Sequence, residues 1–235
     1  MICALLTRLW AEDAEDLKQL QVELAARSLR EPVWAPTAER ALVVGGVFVA
    51  SPRGQEGAGW VGEPAWAAAV VVESGVLVDA SVVHGSFDAP YVAGLLALRE
   101  GRLLAEAVNG LQHKLEVLIV NASGRDHPRR AGLALHLGAV CDLPTIGVTD
   151  RPLLASGLEP GLQRGATAEL VLEDELVGYR LRTRAGARPV VVHAGWRVDP
   201  RTACQVVLEV TRRGRTPTPL REARRLARTA RSQVS

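Results

Sequence analysis

Short apolar runs separated by turn-forming residues dominate the first two thirds of the chain. Runs of this length, rich in valine and alanine, predict buried β-strands. They cover residues 41–50, 65–72, 75–83, 117–120 and 145–148. Only Glu73 and Ser74 separate the second run from the third, which predicts a β-hairpin. The glycine-rich and proline-containing segment 51–64 before this hairpin predicts a loop.

Periodic apolar residues predict helices around these strands. Leu17, Leu20 and Leu24 recur at helical spacing within residues 12–30, with acids at the front and arginines at the back, as the helix dipole favours. Further helices are predicted at residues 94–111, 131–140 and 200–213, and further strands at 168–172, 176–184 and 189–193. Three strands followed by alternating helices and strands predict an α/β fold of the RNase H-like type. Its mixed sheet begins with three antiparallel strands, continues with parallel strands and is flanked by helices.

Size and composition agree with this fold. A chain of 235 residues, 48% hydrophobic but only 4% aromatic, can bury the Val- and Ala-rich strands of one domain spanning residues 1–235. The formal net charge is only +2, but residues 212–235 carry eight arginines and a single acid, Glu222. This arginine-rich segment has two interpretations: it holds nucleic-acid phosphates, or it is a solvated terminal helix.

The cysteines and the hydropathy exclude several classes of protein. Cys3, Cys141 and Cys204 lie far apart without Cys-x-x-Cys or Cys/His spacing, which argues against a disulfide framework or a zinc site. No apolar stretch reaches about 18 residues, and the N-terminus lacks the pattern of a secretion signal. We therefore predict a soluble cytoplasmic protein that does not bind membranes.

Three motifs carry a resemblance to a known family. They are PYVAGLLALRE at 90–100, HPRRAGLALHLG at 127–138 and PTIGV at 144–148. Together they resemble the endonuclease V family of deoxyinosine 3′ endonucleases, and the likeness extends over residues 14–228. The resemblance implies an RNase H-like sheet, Mg²⁺-dependent hydrolysis of a phosphodiester and nucleic acid containing inosine.

Most of the metal-binding side chains that the resemblance implies are replaced. Where the family places two metal-binding aspartates, this chain has Phe48 and Asn121; the family glutamate is retained as Glu100. A phenyl ring cannot bind Mg²⁺, and a neutral amide binds it weakly, because Mg²⁺ prefers charged and water oxygens. We therefore predict no metal site, with Glu100 and Asn121 as the weak alternative. No cofactor is expected unless nuclease activity remains, in which case it is Mg²⁺.

Three further family positions are altered. Ser123 replaces a loop histidine, Asp150 a lysine and Trp196 a late histidine. Phe48 and Trp196 are expected to fill the former metal cavity together. Glu100 is then the one retained candidate catalytic residue, and the leading hypothesis is a catalytically inactive homologue, not an enzyme, that binds deaminated or structured nucleic acid.

Nucleic-acid contacts are predicted at two of the motifs. The resemblance implies a base-separating wedge at the Pro-Tyr loop, so Tyr91 and Gly94 are candidates, Tyr91 by stacking on an exposed base. His127, Arg129 and Arg130 are candidates for phosphate, which suits the guanidinium fork. The competing interpretations are a Tyr91 packed between loop and helix, and an ordinary helix start at 128–130.

Two other hypotheses remain open. One is an active Mg²⁺-dependent endonuclease V that cleaves near deoxyinosine or inosine in DNA repair or RNA processing, with ligands drawn from Glu100, Asn121, Asp126 or Asp150. The other is a protein-interaction or oligomerisation module on the same scaffold. Expected partners are accordingly DNA or RNA, with a protein partner or a homo-oligomer as the alternative.

Overall fold

One eight-stranded sheet with helices on both faces organises the molecule. The computed structural model describes residues 9–37 and 40–233, so Cys3 lies outside the described residues. The strands are β1 Val43–Ala50, β2 Pro64–Glu73, β3 Val76–Ser86, β4 Val117–Val120, β5 Thr145–Thr149, β6 Thr167–Leu172, β7 Glu175–Leu181 and β8 Val190–Ala194. The helices are α1 Ala14–Ser28, α2 Leu96–Asn109, α3 Leu133–Cys141, α4 Pro200–Glu209 and α5 Thr218–Gln233.

The strand order is β3-β2-β1-β4-β5-β8-β7-β6. Strand β1 is antiparallel to β2 and parallel to β4, and β4 is parallel to β5. The predicted RNase H-like mixed α/β sheet is therefore confirmed. Beyond β5 the sheet becomes antiparallel again, because β8 pairs with β5 in that sense and the β6–β7 hairpin follows it. Strands β1, β4 and β5 end on the same side of the sheet, which is called the carboxyl edge below.

The helices divide between the two faces of the sheet. Helices α2 and α3 cover one face, where Val47 of β1 packs among residues of both helices. Helix α1 lies outside them and contributes Leu20 and Leu24 to a cluster shared with α3. Helices α4 and α5 cover the opposite face. Strand β2 is buried on both faces, which explains why its sequence is continuously apolar rather than alternating.

Helix α5 packs directly on β1 and β2, although its sequence is rich in arginine. Its small apolar residues Ala223 and Ala227 are completely buried, with Leu220 beside them. The contact is so close that a Cβ atom on Gly46 of β1 would lie 2.4 Å from the backbone of Pro219. Only a glycine fits at this position. Most of the arginine-rich segment is therefore a docked helix with its basic side chains on the outer faces.

Local signals fix several helix ends. The Asp13 carboxylate accepts hydrogen bonds from the first amides of α1, and Asp199 does the same for α4, where Pro200 follows as a helix-compatible first residue. Helix α4 ends at Glu209, four residues before the predicted limit. None of the helices in residues 9–37 and 40–233 is long and apolar enough to cross a membrane.

Candidate functional site at the carboxyl edge

A cavity of about 310 Å³ opens at the carboxyl edge of the sheet. Tyr91 and Gly94 line it from the loop before α2, Asn121 from the end of β4, His127 from the next loop and Thr149 from the end of β5. The structure thus brings four of the predicted site residues around one cavity. Neighbouring parallel strands end here, which is where α/β sheets commonly bind ligands.

The carbonyl oxygen of Gly94 ties this loop to the rest of the site. It accepts hydrogen bonds from Gln21 Nε2 at 3.1 Å, from His127 Nε2 at 3.1 Å and from Arg129 Nη2 at 2.9 Å. Gly94 has φ of +79°, a conformation that glycine adopts without strain. The Pro-Tyr motif and the His-Pro-Arg-Arg motif are therefore joined through a single backbone group.

His127 acts as a neutral hydrogen-bonding group. The backbone amide of Arg129 donates to its Nδ1 at 3.2 Å, so Nε2 carries the proton that it donates to Gly94. Burial, assisted by the nearby charge of Arg129, lowers the pKa of His127 to about 4. At neutral pH this side chain positions the loop without adding a charge.

Arg129 and Arg130 already use donors on protein acceptors. Arg129 Nε donates to Gln21 Oε1 at 2.6 Å. Arg130 Nη2 donates to the carbonyl oxygen of Leu172 at 2.9 Å and to the Glu173 carboxylate at 3.1 Å. The phosphate contacts predicted for both arginines stay predictions, and the contacts present hold the loop after β4 in place.

Glu100 is a partly buried carboxylic acid on α2. It lies one helical turn after Leu96, which lines the cavity, so both residues share a face of α2. Burial raises the pKa of Glu100 to about 7, with the charge of Arg99 opposing the change. Among the described residues, no hydrogen bond or ion pair engages its carboxylate. Such a group favours either a proton or a bound cation.

Phe48 and Trp196 occupy different parts of the protein. The Phe48 ring faces α5 and packs against Ala68 and Ala227, with the guanidinium carbon of Arg224 5.0 Å from its centroid. Trp196 is fully buried among residues of α1 and α3. It fits there because Gly138 has no side chain: a Cβ on that residue would lie 2.4 Å from Trp196 Cβ. The prediction that both rings jointly fill a metal cavity is therefore wrong.

Asp126 and Asp150 do not rebuild a metal site. Asp126 is completely buried and accepts hydrogen bonds from the backbone amides of residues 153–155 at 2.7 to 2.8 Å. Asp150 pairs with Arg215 Nη1 at 2.6 Å, and this hydrogen bond lowers its pKa. Relocated metal ligands at these two positions, one of the hypotheses above, disagree with the structure. Asp126 instead fixes the wall of the cavity.

The eight-stranded mixed sheet, flanked by helices and with a cavity at its carboxyl edge, places the protein in the class of RNase H-like α/β proteins. The family model described as Endonuclease V matches residues 29–225, so the chain belongs to the endonuclease V family.

Known members of the family share most of this chain. Endonuclease V of Methanopyrus kandleri is 47% identical over 175 residues, which cover 74% of this chain and 76% of that protein. The crystal structure of endonuclease V from Streptomyces avermitilis superposes with a TM-score of 0.83 and 35% identity, covering 96% of both chains. A more distant structure has the same fold: Ciona intestinalis endonuclease V, with a TM-score of 0.72, 19% identity and coverage of 92% and 95%, in complex with a 23mer DNA containing an inosine followed by a ribo-adenosine.

These relatives correct the functional prediction. Endonuclease V of Methanopyrus kandleri is 47% identical to this chain over about three quarters of its length. This similarity contradicts the hypothesis of a catalytically inactive homologue that is not an enzyme. That hypothesis rested on Phe48 and Asn121 as losses of metal ligands, but nucleic acid and water can also supply oxygen ligands to Mg²⁺.

Proposed function

We propose that the protein is an Mg²⁺-dependent endonuclease that cleaves a nucleic-acid strand close to inosine. The observation that carries this proposal is the cavity at the carboxyl edge, which lies beside Tyr91 and next to the helical face of Glu100. The Ciona intestinalis relative was crystallised with inosine-containing DNA, which supports the same ligand class here.

The cavity has the properties of a pocket for an unstacked base. Leu133 and Leu153 give it apolar walls, whereas Ser123 and Thr149 contribute hydroxyl groups. Enzymes that act on a particular base commonly turn it out of the helix and recognise its edge with hydrogen bonds inside such a pocket. Tyr91 is 53% exposed at the rim, so its ring is available to stack on a neighbouring base.

The side chains that would hold a magnesium ion here are Glu100, whose carboxylate has no hydrogen bond or ion pair among the described residues, and Asn121, whose amide supplies an oxygen. The ring of Phe48 supplies no ligand. We propose that this set is reduced relative to the family pattern and that water and phosphate oxygens complete it, as is common for Mg²⁺. A bound ion would activate water and neutralise charge on the phosphate.

The protein's own residues then have distinct tasks. Glu100 and Asn121 would hold the ion beside the strand, and Tyr91 would separate bases and stack on one of them. His127 and Arg129 both donate hydrogen bonds to the carbonyl oxygen of Gly94. These bonds hold the loop that carries Tyr91 next to the loop that follows β4. Because phosphate oxygens complete the ligand set, we expect ion binding and strand binding to reinforce each other.

Cleavage of matched oligonucleotides tests the proposal. Strands that differ only by inosine or adenosine at one position are incubated over a range of Mg²⁺ concentrations, with EDTA as the control. Cutting is expected only in the inosine strand, and half-maximal rate is expected at a lower Mg²⁺ concentration when the strand is in excess. No cutting with either Mg²⁺ or Mn²⁺, or equal cutting of the adenosine strand, would contradict the proposal.

Tyr91→Ala is expected to weaken binding of the inosine strand by about tenfold to a hundredfold, because stacking on one base contributes about 1 to 3 kcal/mol. Tyr91→Phe keeps the ring and should bind like the wild type. Fluorescence anisotropy in EDTA measures both affinities without cleavage. Equal losses in both variants would instead assign Tyr91 a hydrogen-bonding function through its hydroxyl group.

A further inference from the structure

Arg224 lies at the carboxyl edge on the face of the sheet opposite α2. Its guanidinium carbon is 5.0 Å from the ring centroid of Phe48 on β1. Val47 of β1 pairs with Val120 of β4, so Phe48 and Asn121 follow directly opposite positions of the two strands. Asn121 lines the cavity at the carboxyl edge. The sheet edge that bears the cavity therefore also carries a cation on its α5 face.

No acid within residues 9–37 and 40–233 forms an ion pair with this cation. The Nε of Arg224 is buried without a hydrogen-bond partner among the described residues. Burial lowers its pKa, and the charges of Arg228 and Arg215 act in the same direction, with Asp150 opposing them. Asp150 is itself hydrogen-bonded to Arg215 at 2.6 Å. Arg224 thus lies among like charges in a partly desolvated position, where an added anion would be stabilised.

Phe48 leaves the charge of Arg224 available for an acceptor from outside the protein. An aspartate at this position, which the resemblance to the family implies, would attract the guanidinium and offset part of its charge. The phenyl ring instead packs against the guanidinium through a cation–π contact and restrains it, while leaving its remaining donors for another acceptor. An arginine fork presented in this way matches two oxygens of a phosphate group.

We propose that Arg224, supported by Phe48, binds a phosphodiester group of the nucleic-acid strand that crosses the carboxyl edge. The proposal rests on the proposed function for the presence of that strand. It adds a contact that does not depend on the metal ion or on the identity of the base. The contact contributes to the affinity for any strand and not to the preference for inosine.

The salt dependence of binding tests this site. Wild type and Arg224→Gln are titrated with labelled inosine and adenosine oligonucleotides in EDTA at several salt concentrations. Loss of one phosphate contact should reduce the slope of log K against log salt by about 1 and weaken both strands by the same factor. Asp150→Asn should have the opposite effect and tighten both strands, because it removes an acid beside the arginines. Thermal unfolding establishes that each variant is folded.

Arg225→Gln is the matched control on the same helix. Arg225 is exposed and pairs with Glu222 at 2.9 Å, so its loss should change the slope much less. An unchanged slope in Arg224→Gln, or an equal change in Arg225→Gln, would overturn the proposal. Failure of the proposed function looks different: the wild type would then show no preference for inosine, whatever the slopes are.

Discussion

Glu100→Gln is expected to abolish Mg²⁺-dependent cutting and, at the same time, to make the protein more stable at pH 8. The activity should fall by more than about a hundredfold, since losing a group that merely orients a metal ligand already costs about 10- to 100-fold. The stability should rise by up to about 3 kcal/mol, because glutamine removes an unpaired, partly buried charge and each pKa unit corresponds to about 1.4 kcal/mol. A gain in stability with a loss of activity is typical of a functional carboxylate.

The stability effect has a definite pH dependence. The pKa of Glu100 is raised from 4.5 to about 7 in the folded protein, so protonation favours folding. This contribution is complete below about pH 4.5 and is lost as the pH rises through 7. Thermal unfolding of wild type and variant should therefore coincide near pH 4.5, diverge as the pH rises from 4.5 to about 7, and differ by a constant amount at higher pH. Added Mg²⁺ should stabilise only the wild type, increasingly at higher pH.

Glu106→Gln provides the control on the same helix, because this glutamate is exposed to solvent. It should leave cutting and the pH dependence of stability unchanged. A lower melting temperature for Glu100→Gln at pH 8 would mean that the carboxylate stabilises the fold, and it would contradict the function assigned to Glu100 here.

Arg99→Met is expected to destabilise the protein by about 3 to 5 kcal/mol, because it leaves a buried carboxylate unpaired. Arg99 Nη2 lies 2.6 Å from Glu63 Oε2, with side-chain exposures of 6% and 0%. Its Nη1 also donates to the carbonyl oxygen of Ala89 at 2.7 Å. The guanidinium carbon lies 3.6 Å from the ring centroid of Phe87. Urea unfolding measures the loss.

A matched pair of variants separates this contact from general effects. Arg102→Met removes a neighbouring arginine that is 52% exposed and 3.9 Å from Asp88, and it should cost less than about 1 kcal/mol. Adding Glu63→Gln to Arg99→Met should recover part of the loss, because the orphaned charge is removed. Equal costs for the two arginine variants would show that the Arg99 pair has no special energetic weight.

Much of the fold could be predicted from the sequence because its signals are local. Buried strands are continuous apolar runs, and the two residues between β2 and β3 leave room only for a tight turn. The position of β8 between β5 and β7 could not be predicted, since strand order depends on contacts between distant segments. The packing of α5 was also hidden, because its buried stripe consists mainly of small residues between arginines, with Gly46 as its distant counterpart.

The residues of the candidate site that lie in local motifs could also be predicted from the sequence. Tyr91, Gly94, Asn121 and His127 meet because each follows or precedes an element that ends at the carboxyl edge. Trp196 was misplaced because sequence position gives no information on which face a side chain takes after a turn. Gln21 was missed because it joins the site through α1, which lies far away in sequence and carries no motif. Thr149 directly follows the motif at 144–148 and was not singled out, because that motif does not show which of the next side chains faces the cavity.

The contact between Gly46 and Pro219 couples the interior of the protein to its charged surface. Because α5 rests against the backbone of β1, its arginines keep fixed spacings and do not sample the many arrangements open to a flexible basic tail. A nucleic-acid strand that binds this face would contact arginines whose positions are already fixed. The helix therefore loses less conformational entropy on binding than a flexible basic tail would. One missing side chain in the core thereby determines how rigidly the surface presents its charges.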